Sequence, residues 1–268
     1  MSSTSPKGKD EALNAAFTQL LPSLPVPTPL SDLLTTLRSN LASNMSALLG
    51  EVGLDRASRV PYSYPSSPLV LTPFTIPLSH QLTILEAQLE LAVELGRGVS
   101  LHSVKAQMAT KELIERMKEK WGKRWESISV DLHSCGLSAQ MWSDIEKKHP
   151  NVFFSLSTGI NSRSPNHRAL ISACSPSRIL VESDYHDIDH CAQRTWEMVL
   201  IVAEVKGWRV EESWDYAELD GEEAWGAVRR LEENWKAFKK GGHGSPDEKK
   251  RRPRKQRVLE SDSDGSAE

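Results

Sequence analysis

From His80 onward the chain alternates between amphipathic helical stretches and short apolar runs, and that rhythm constrains the fold more than any other feature. A helix over His80 to Gly96, with Leu82, Leu85, Leu89 and Ala92 on one face, gives way to a strand over Val99 to Ser103. The same step repeats three times: Ala106 to Lys120 leads to Ser127 to His133, Ser138 to Lys148 leads to Val152 to Leu156, and Asn166 to Cys174 leads to Arg178 to Ser183. A long helix over about Asp189 to Val205 follows. Upstream, Ala47 to Asp55 (ALLGEVGLD) is an apolar run ending in charge, the pattern of a buried strand that delivers polar groups at its C-terminal end. Strands joined through helices run parallel, with the helices covering the sheet, so the pattern predicts an α/β domain on five parallel strands. After Trp208 a strand-like WRVEE and an amphipathic helix over about Asp220 to Lys240, carrying Trp225, Val228, Leu231, Trp235 and Phe238, are expected to close the domain.

The flanking sequence divides the chain into residues 1–28, a disordered and helical extension with a linker, 29–240, the α/β domain, and 241–268, a tail. Within the extension the first ten residues are polar and expected to be disordered. Glu11 to Leu21 has helical periodicity, PSLPVPTP is a linker, and a second helix starts at Ser31 with Leu33, Leu34, Leu37 and Leu41 in phase. Residues 56–79, rich in Pro and Ser, are too long for a casual connection and are expected to be a functional or poorly ordered loop. With 38% hydrophobic residues in 268, one sizeable core is within reach.

Three cysteines, Cys135, Cys174 and Cys191, are too few and too scattered for a disulfide framework or a cysteine zinc module, and a reducing compartment fits them best. No run of about 18 apolar residues and no leader-like start is found, so neither membrane insertion nor secretion is expected, leaving a cytoplasmic or nuclear location. The net charge of -3 conceals a tail of two halves. Lys249, Lys250, Arg251, Arg252, Arg254, Lys255 and Arg257 form a run typical of nuclear import or nucleic-acid contact, and the acidic LESDSDGSAE sets Ser261 and Ser263 in a context suited to phosphorylation.

Glu51, His102, His133 and Asp184 each fall at or just past the C-terminal end of a different expected strand. In a parallel barrel those ends converge on one rim, and catalytic groups come from them. A single strand-end histidine is more often structural than ligating, but four such groups at equivalent places favour a shared site. His149 and His167, at helix edges, are expected to be solvent-exposed. A nucleophilic pair of Cys135 with His133 is disfavoured, because residues along a strand alternate between faces.

The stretches GEVGLDR (50–56), HQ (80–81) with QLELAVELG (88–96), VSLHSV (99–104), PNVFFSLSTGIN and ESDYH (182–186) resemble TatD-type deoxyribonucleases over roughly residues 29 to 210. HSCG and the Trp-rich helices look most like the fungal branch, some of whose members are named as interactors of a cell-cycle ubiquitin-ligase subunit. The resemblance implies a (β/α)8 TIM barrel and a metal-dependent phosphodiester hydrolase of the amidohydrolase superfamily. It also implies one or two divalent ions (Zn, Mg or Mn). Glu51 would bridge them, His102 and His133 would bind one, and Asp184 would bind the other and accept the proton of the attacking water. Arg56 and Arg163 would meet substrate phosphate, and His186 would sit behind the ligands or touch substrate.

The pattern is broken in one place: the family's first strand carries a His-x-His pair, and this sequence has no histidine before His80. Ala47 to Asp55 would then be the fourth barrel strand and Arg178 to Ser183 the eighth. The expectation is a five-stranded open part of a barrel that normally takes about 250 residues, with DNA or another phosphodiester as substrate. Without that pair the second metal position keeps only Glu51 and Asp184, so one cation at Glu51, His102 and His133 and impaired hydrolysis are expected. Two strand edges are left unpaired, so the expectation is either that strands upstream are missing from the sequence as given or that the open edge is covered by residues 1–46 or by a protein partner. The competing expectation is a non-catalytic scaffold of the same fold, nuclear, docking a cell-cycle or chromatin partner through the domain or its tail.

Overall fold

The computed structural model describes residues 6–63, 68–211, 213 and 222–243. Its centre is a parallel sheet of five strands, β1 (Leu49–Asp55), β4 (Val99–Val104), β5 (Val130–Leu132), β6 (Val152–Leu156) and β7 (Ile179–Val181), in that spatial order. All four neighbouring pairs are parallel, with Gly53 opposite His102, Leu101 opposite Leu132, Leu132 opposite Phe154 and Phe154 opposite Ile179. The sheet is open, as the five-strand reading expects. Between the strands lie α3 (Leu78–Leu95), α4 (Gln107–Trp121), the short α5 (Lys123–Ser127), α6 (Ala139–Lys148), α7 (Thr158–Asn161) and α8 (His167–Ala173), with α9 (Ile188–Lys206) after β7.

Period-two alternation sorts the strand residues into two faces. Val99, Leu101, Val130, Leu132, Val152, Phe154 and Ile179 enter the main core with α3, α4, α6, α8 and α9. There Trp142 meets the Phe154 ring edge-on at 4.6 Å, with both rings fully buried. Ser100, His102, Asp131, Phe153, Ser155, Leu180 and Glu182 lie on the other face, whose apolar lower part gathers Phe153, Leu180 and Phe238 into a second cluster. Phe238 comes from α10 (Ala227–Lys240), which therefore packs across the face that bears the polar residues. Asn234 Nδ2 on α10 donates to the carbonyls of Pro176 (2.7 Å) and Ile179 (2.9 Å), satisfying backbone acceptors at the outer edge of β7.

Helix ends follow local chemistry. Ser138 and Asp187 accept the N–H groups of Met141 and Asp189 at the starts of α6 and α9, and Gly96 and Gly207 end α3 and α9 in the left-handed conformation at φ 64° and 66°. Closest approach occurs at Gly53, where a side-chain carbon would stand 2.0 Å from the His102 carbonyl oxygen, so only glycine lets β1 lie against β4 there.

Five expectations need correction. The 56–79 loop contains an antiparallel hairpin, β2 (Arg59–Pro61) and β3 (Leu71–Thr75), with 64–67 outside the described residues. The described part of the WRVEE stretch, residues 208–211, is not a strand, and Glu212 lies outside the described residues. The Arg209 carbonyl accepts Ala227 N–H, while the Glu211 carboxylate takes the N–H groups of Val228 and Arg229 and caps α10. The first helix, α1, spans Pro6–Leu20 and so begins inside the stretch expected to be disordered. Its Phe17 packs edge-on against Phe74 of β3 at 6.0 Å, and α2 (Leu30–Ser43) is tied down by buried Arg97, which donates to the carbonyls of Leu41 and Met45. His149, expected at the surface, is 2% exposed, and burial holds its imidazole at about 4. The folded domain also runs past Gly241: His243 is buried and its Nε2 lies 2.7 Å from Ser129 Oγ. The basic run at 249–257 and the acidic end lie outside the described residues. No helix among the described residues is long and apolar enough to cross a membrane.

Candidate metal centre

The strand ends bring four side chains together. Glu51 Oε1 lies 2.5 Å from His102 Nδ1 and 3.7 Å from His133 Nε2, and His133 Nε2 lies 3.5 Å from Asp184 Oδ1. Each comes from a different chain segment: β1, β4, the turn after β5 and the turn after β7. Backbone at the last two turns is left-handed, with φ 41° at Ser134 and 45° at Asp184, a rare conformation for side-chain-bearing residues that clusters at functional sites. A cavity of about 360 Å³ borders the Glu51–His102 pair and is flanked by Asp55, Ser58, Ile76 and Gln81. Gln81 shapes its wall by donating to the carbonyls of Asp55 and Ile76, both at 2.9 Å.

Behind this outer set is a buried layer that motif reading passes over. Glu182 Oε2 lies 2.6 Å from His133 Nδ1. The other oxygen of Glu182 accepts from Ser134 N (2.8 Å) and Ser134 Oγ (2.7 Å). Ser155 Oγ reaches both Glu182 Oε2 (2.9 Å) and Asp131 Oδ2 (2.7 Å), and Ser134 Oγ also lies 3.1 Å from Asp184 Oδ2, so its one proton is shared between Glu182 and Asp184. A carboxylate on one imidazole nitrogen fixes the ring and leaves the other nitrogen facing outward, the usual support of a metal-binding histidine. Burial disfavours charge on His133, but the Glu182 hydrogen bond and the charges of Glu182, Glu51 and Asp184 outweigh it and raise the ring to about 9. The same pairing overcomes burial at Glu182 and holds its carboxyl below the usual range. Asp131 is pushed up to about 7 by burial and by the charge of Glu182.

The donor set suits a divalent cation. Two imidazoles and two carboxylates converge with no lysine or arginine ion pair to them among the described residues, and a His₂-carboxylate set leaves open positions on a catalytic metal. Asp131, His133 and Glu182 also each offer a ligand atom within 4.8 Å of the others, so the inner layer has metal-type donors of its own. The remaining candidates stand apart. Arg56 and Arg163 are exposed and outside the hydrogen-bonded cluster. His186 is exposed with its ring 4.7 Å from that of Tyr185, and the Arg194 guanidinium lies over the Tyr185 ring at 3.8 Å. Cys135 is buried, and burial pushes its thiol up to about 12, so it is no nucleophile at neutral pH. Asp131 and Glu182 sit two residues before His133 and Asp184, within β5 and just past the end of β7, a spacing that could have revealed them.

A five-stranded parallel sheet carrying acids and histidines at its C-terminal rim places the chain in the barrel-type α/β class, with a metal-type donor cluster. The profile of TatD-related DNases matches residues 25–218, and the chain belongs to that family. It is 29% identical over 224 residues to the Cut9-interacting protein scn1 of Schizosaccharomyces pombe, covering 71% of this chain and 65% of that protein, just under two thirds of its length. It is 26% identical over 234 residues to the uncharacterized deoxyribonuclease YMR262W of Saccharomyces cerevisiae, covering 83% and 69%. Among solved structures, the Escherichia coli TatD homolog YJJV superposes with a TM-score of 0.52 at 16% identity, over 76% of this chain and 69% of that one, which supports the barrel-type fold.

Proposed function

We propose that the chain is a metal-dependent phosphodiesterase acting on nucleic acid, with Glu51, His102, His133 and Asp184 as metal ligands and Asp184 also as proton acceptor. The observation that carries this reading is the meeting of those four groups, from four separate segments, within 3.7 Å steps of one another. When bound, a divalent cation supplies charge neutralisation at the phosphoryl oxygens and acidifies the attacking water. The chain's own residues do the rest. Glu182 holds His133 Nδ1 so that Nε2 faces outward, and Ser134 Oγ anchors Asp184 Oδ2, leaving Oδ1 to receive the water's proton. The cavity beside Glu51 and His102 gives room for a phosphate, and His186, exposed two residues past Asp184, remains a proposed substrate contact. Arg56 and Arg163, exposed at the same end of the chain's βα segments, remain proposed phosphate contacts.

The test is calorimetric titration of EDTA-treated chain with Zn²⁺ and Mn²⁺, alongside cleavage of labelled single- and double-stranded DNA. Saturable binding with metal-dependent cleavage, both lost in Glu51→Gln and His102→Ala, supports the reading. Failure of both in the intact chain leaves the second reading, a scaffold of the same fold, which the name of the S. pombe relative as a Cut9-interacting protein favours. We further propose nuclear as well as cytoplasmic residence through the run Lys249 to Arg257, and deletion after His243 should abolish nuclear accumulation of a fluorescent fusion.

A further inference from the structure

Below the strand-end cluster, between the polar sheet face, β7 and α10, lies a second cavity of about 560 Å³. Its walls are largely apolar, formed by Leu48, Leu180, Val228, Leu231, Trp235 and Phe238. Its titratable lining is entirely acidic: Asp131 and Glu182 from the sheet and Glu232 from α10. The acids differ in how well they are satisfied. Glu182 is fully engaged with His133, Ser134 and Ser155, and Glu232 is paired with Arg229 and Lys236. Asp131 uses one oxygen on Ser155, while its Oδ1 has no hydrogen-bond partner although the residue is only 6% exposed. A buried acceptor left without a donor costs stability, and such a group in a roomy apolar cavity marks the point where a ligand's polar end belongs.

We infer that this cavity binds a small apolar primary amine, its ammonium donating to Asp131 Oδ1 and its hydrocarbon or aromatic body lying between Leu180, Leu231 and Trp235. The polar lining is three carboxylates with the hydroxyls of Ser100 and Ser155, and the single proton of Ser155 is shared between Asp131 and Glu182, so acceptors outnumber donors and the matching group is a donor; an ammonium has three donors and no acceptor. The acidic lining disfavours a carboxylate or phosphate ligand, and the volume is that of a typical small-ligand pocket. Trp235, stacked on Phe238 at 5.5 Å and partly exposed, offers a ring face to an aromatic or cyclic body near the mouth. The cavity adjoins the strand-end ligands: Glu182 lines it and holds His133, and Ser155 links Glu182 to Asp131.

The experiment is thermal-shift and calorimetric titration of the full EDTA-treated chain with hexylamine and 2-phenylethylamine, against hexanol and hexanoate as size-matched neutral and anionic controls. Saturable stabilisation by either amine, with at least about ten-fold weaker binding of both controls, supports the inference, as does an about 10- to 100-fold loss of amine affinity in Asp131→Asn. Should Asp131→Asn fail to fold, Val228→Phe, which narrows the cavity from α10, is expected to exclude 2-phenylethylamine while leaving zinc binding unchanged. No saturable binding by either amine, equal binding of hexanoate, or displacement of the amine by stoichiometric zinc through Asp131 would each overturn it. The zinc titration of the same samples reads the strand-end centre independently, so its failure and the failure of the amine site are told apart.

Discussion

Replacing Glu182 by Gln removes one charge and little volume from the inner layer, and its effect can be worked from the structure. His133 is raised from 6.5 to about 9 despite burial, a difference of 2.5 that corresponds to about 3 kcal/mol at 1.36 kcal/mol per unit. Glu182 makes the closest of the three carboxylate contacts, 2.6 Å against 3.5 Å for Asp184 and 3.7 Å for Glu51. Without its charge the cost of burying His133 persists while most of the compensation is gone, so the ring should titrate at or below its ordinary value. Because the folded pKa lies above the unfolded one, the stabilisation is fully present below about pH 6.5 and disappears as pH rises through about 9. Metal-free Glu182→Gln should therefore lose about 2 to 3 kcal/mol in urea unfolding at pH 6 and markedly less at pH 9.5. Ring carbon-proton NMR gives the His133 titration directly. A His133 pKa still near 9 in the variant, or an equal loss at both pH values, would refute the assignment of Glu182 as the group that holds this imidazole.

Further outcomes follow from other residues. Glu182→Gln should also weaken zinc binding about 10- to 100-fold, since the amide can stabilise the tautomer that places a proton on His133 Nε2, as calorimetry would show. Gly53→Ala puts a methyl group 2.0 Å from the His102 carbonyl oxygen, forcing β1 off β4; a loss of about 1 to 3 kcal/mol by denaturant titration and a weakened metal site are expected. His149 is held at about 4, below its unfolded value, so protonation of the unfolded chain costs stability as pH falls from 6.5 to 4. His149→Asn should flatten that acid limb by up to about 3 kcal/mol, measured as unfolding free energy against pH. Trp142→Ala, which empties a fully buried site against Phe154, should cost about 3 to 5 kcal/mol while sparing the strand-end rim.

The order and direction of the five strands were legible because each crossover helix carries an uninterrupted apolar stripe and each strand is a short apolar block. Where that periodicity is weak, the reading slipped. β2 and β3 are three and five residues long, their pairing is irregular and prolines stand in both, so no alternation marks them. The Trp208 to Glu211 segment has strand-like composition, but its backbone partners come from the start of α10, a contact that no local pattern encodes. Glu51, His102, His133 and Asp184 were visible because polar residues at apolar strand ends are conspicuous. Asp131 and Glu182 were not, since one hides inside the three-residue strand VDL and the other reads as a neighbour of Asp184. His149 was misplaced because its position just past a charged helix end suggests solvent, whereas the chain turns there into β6 and covers it.

The most direct measurement is the anomalous difference density of the crystallised chain soaked in zinc. We expect a peak within about 2.0 to 2.2 Å of Glu51, His102 and His133 Nε2, with Asp184 at its edge. Ordered zinc-soaked crystals with no peak among those residues, or with one only between Asp131 and Glu182, would contradict the strand-end centre.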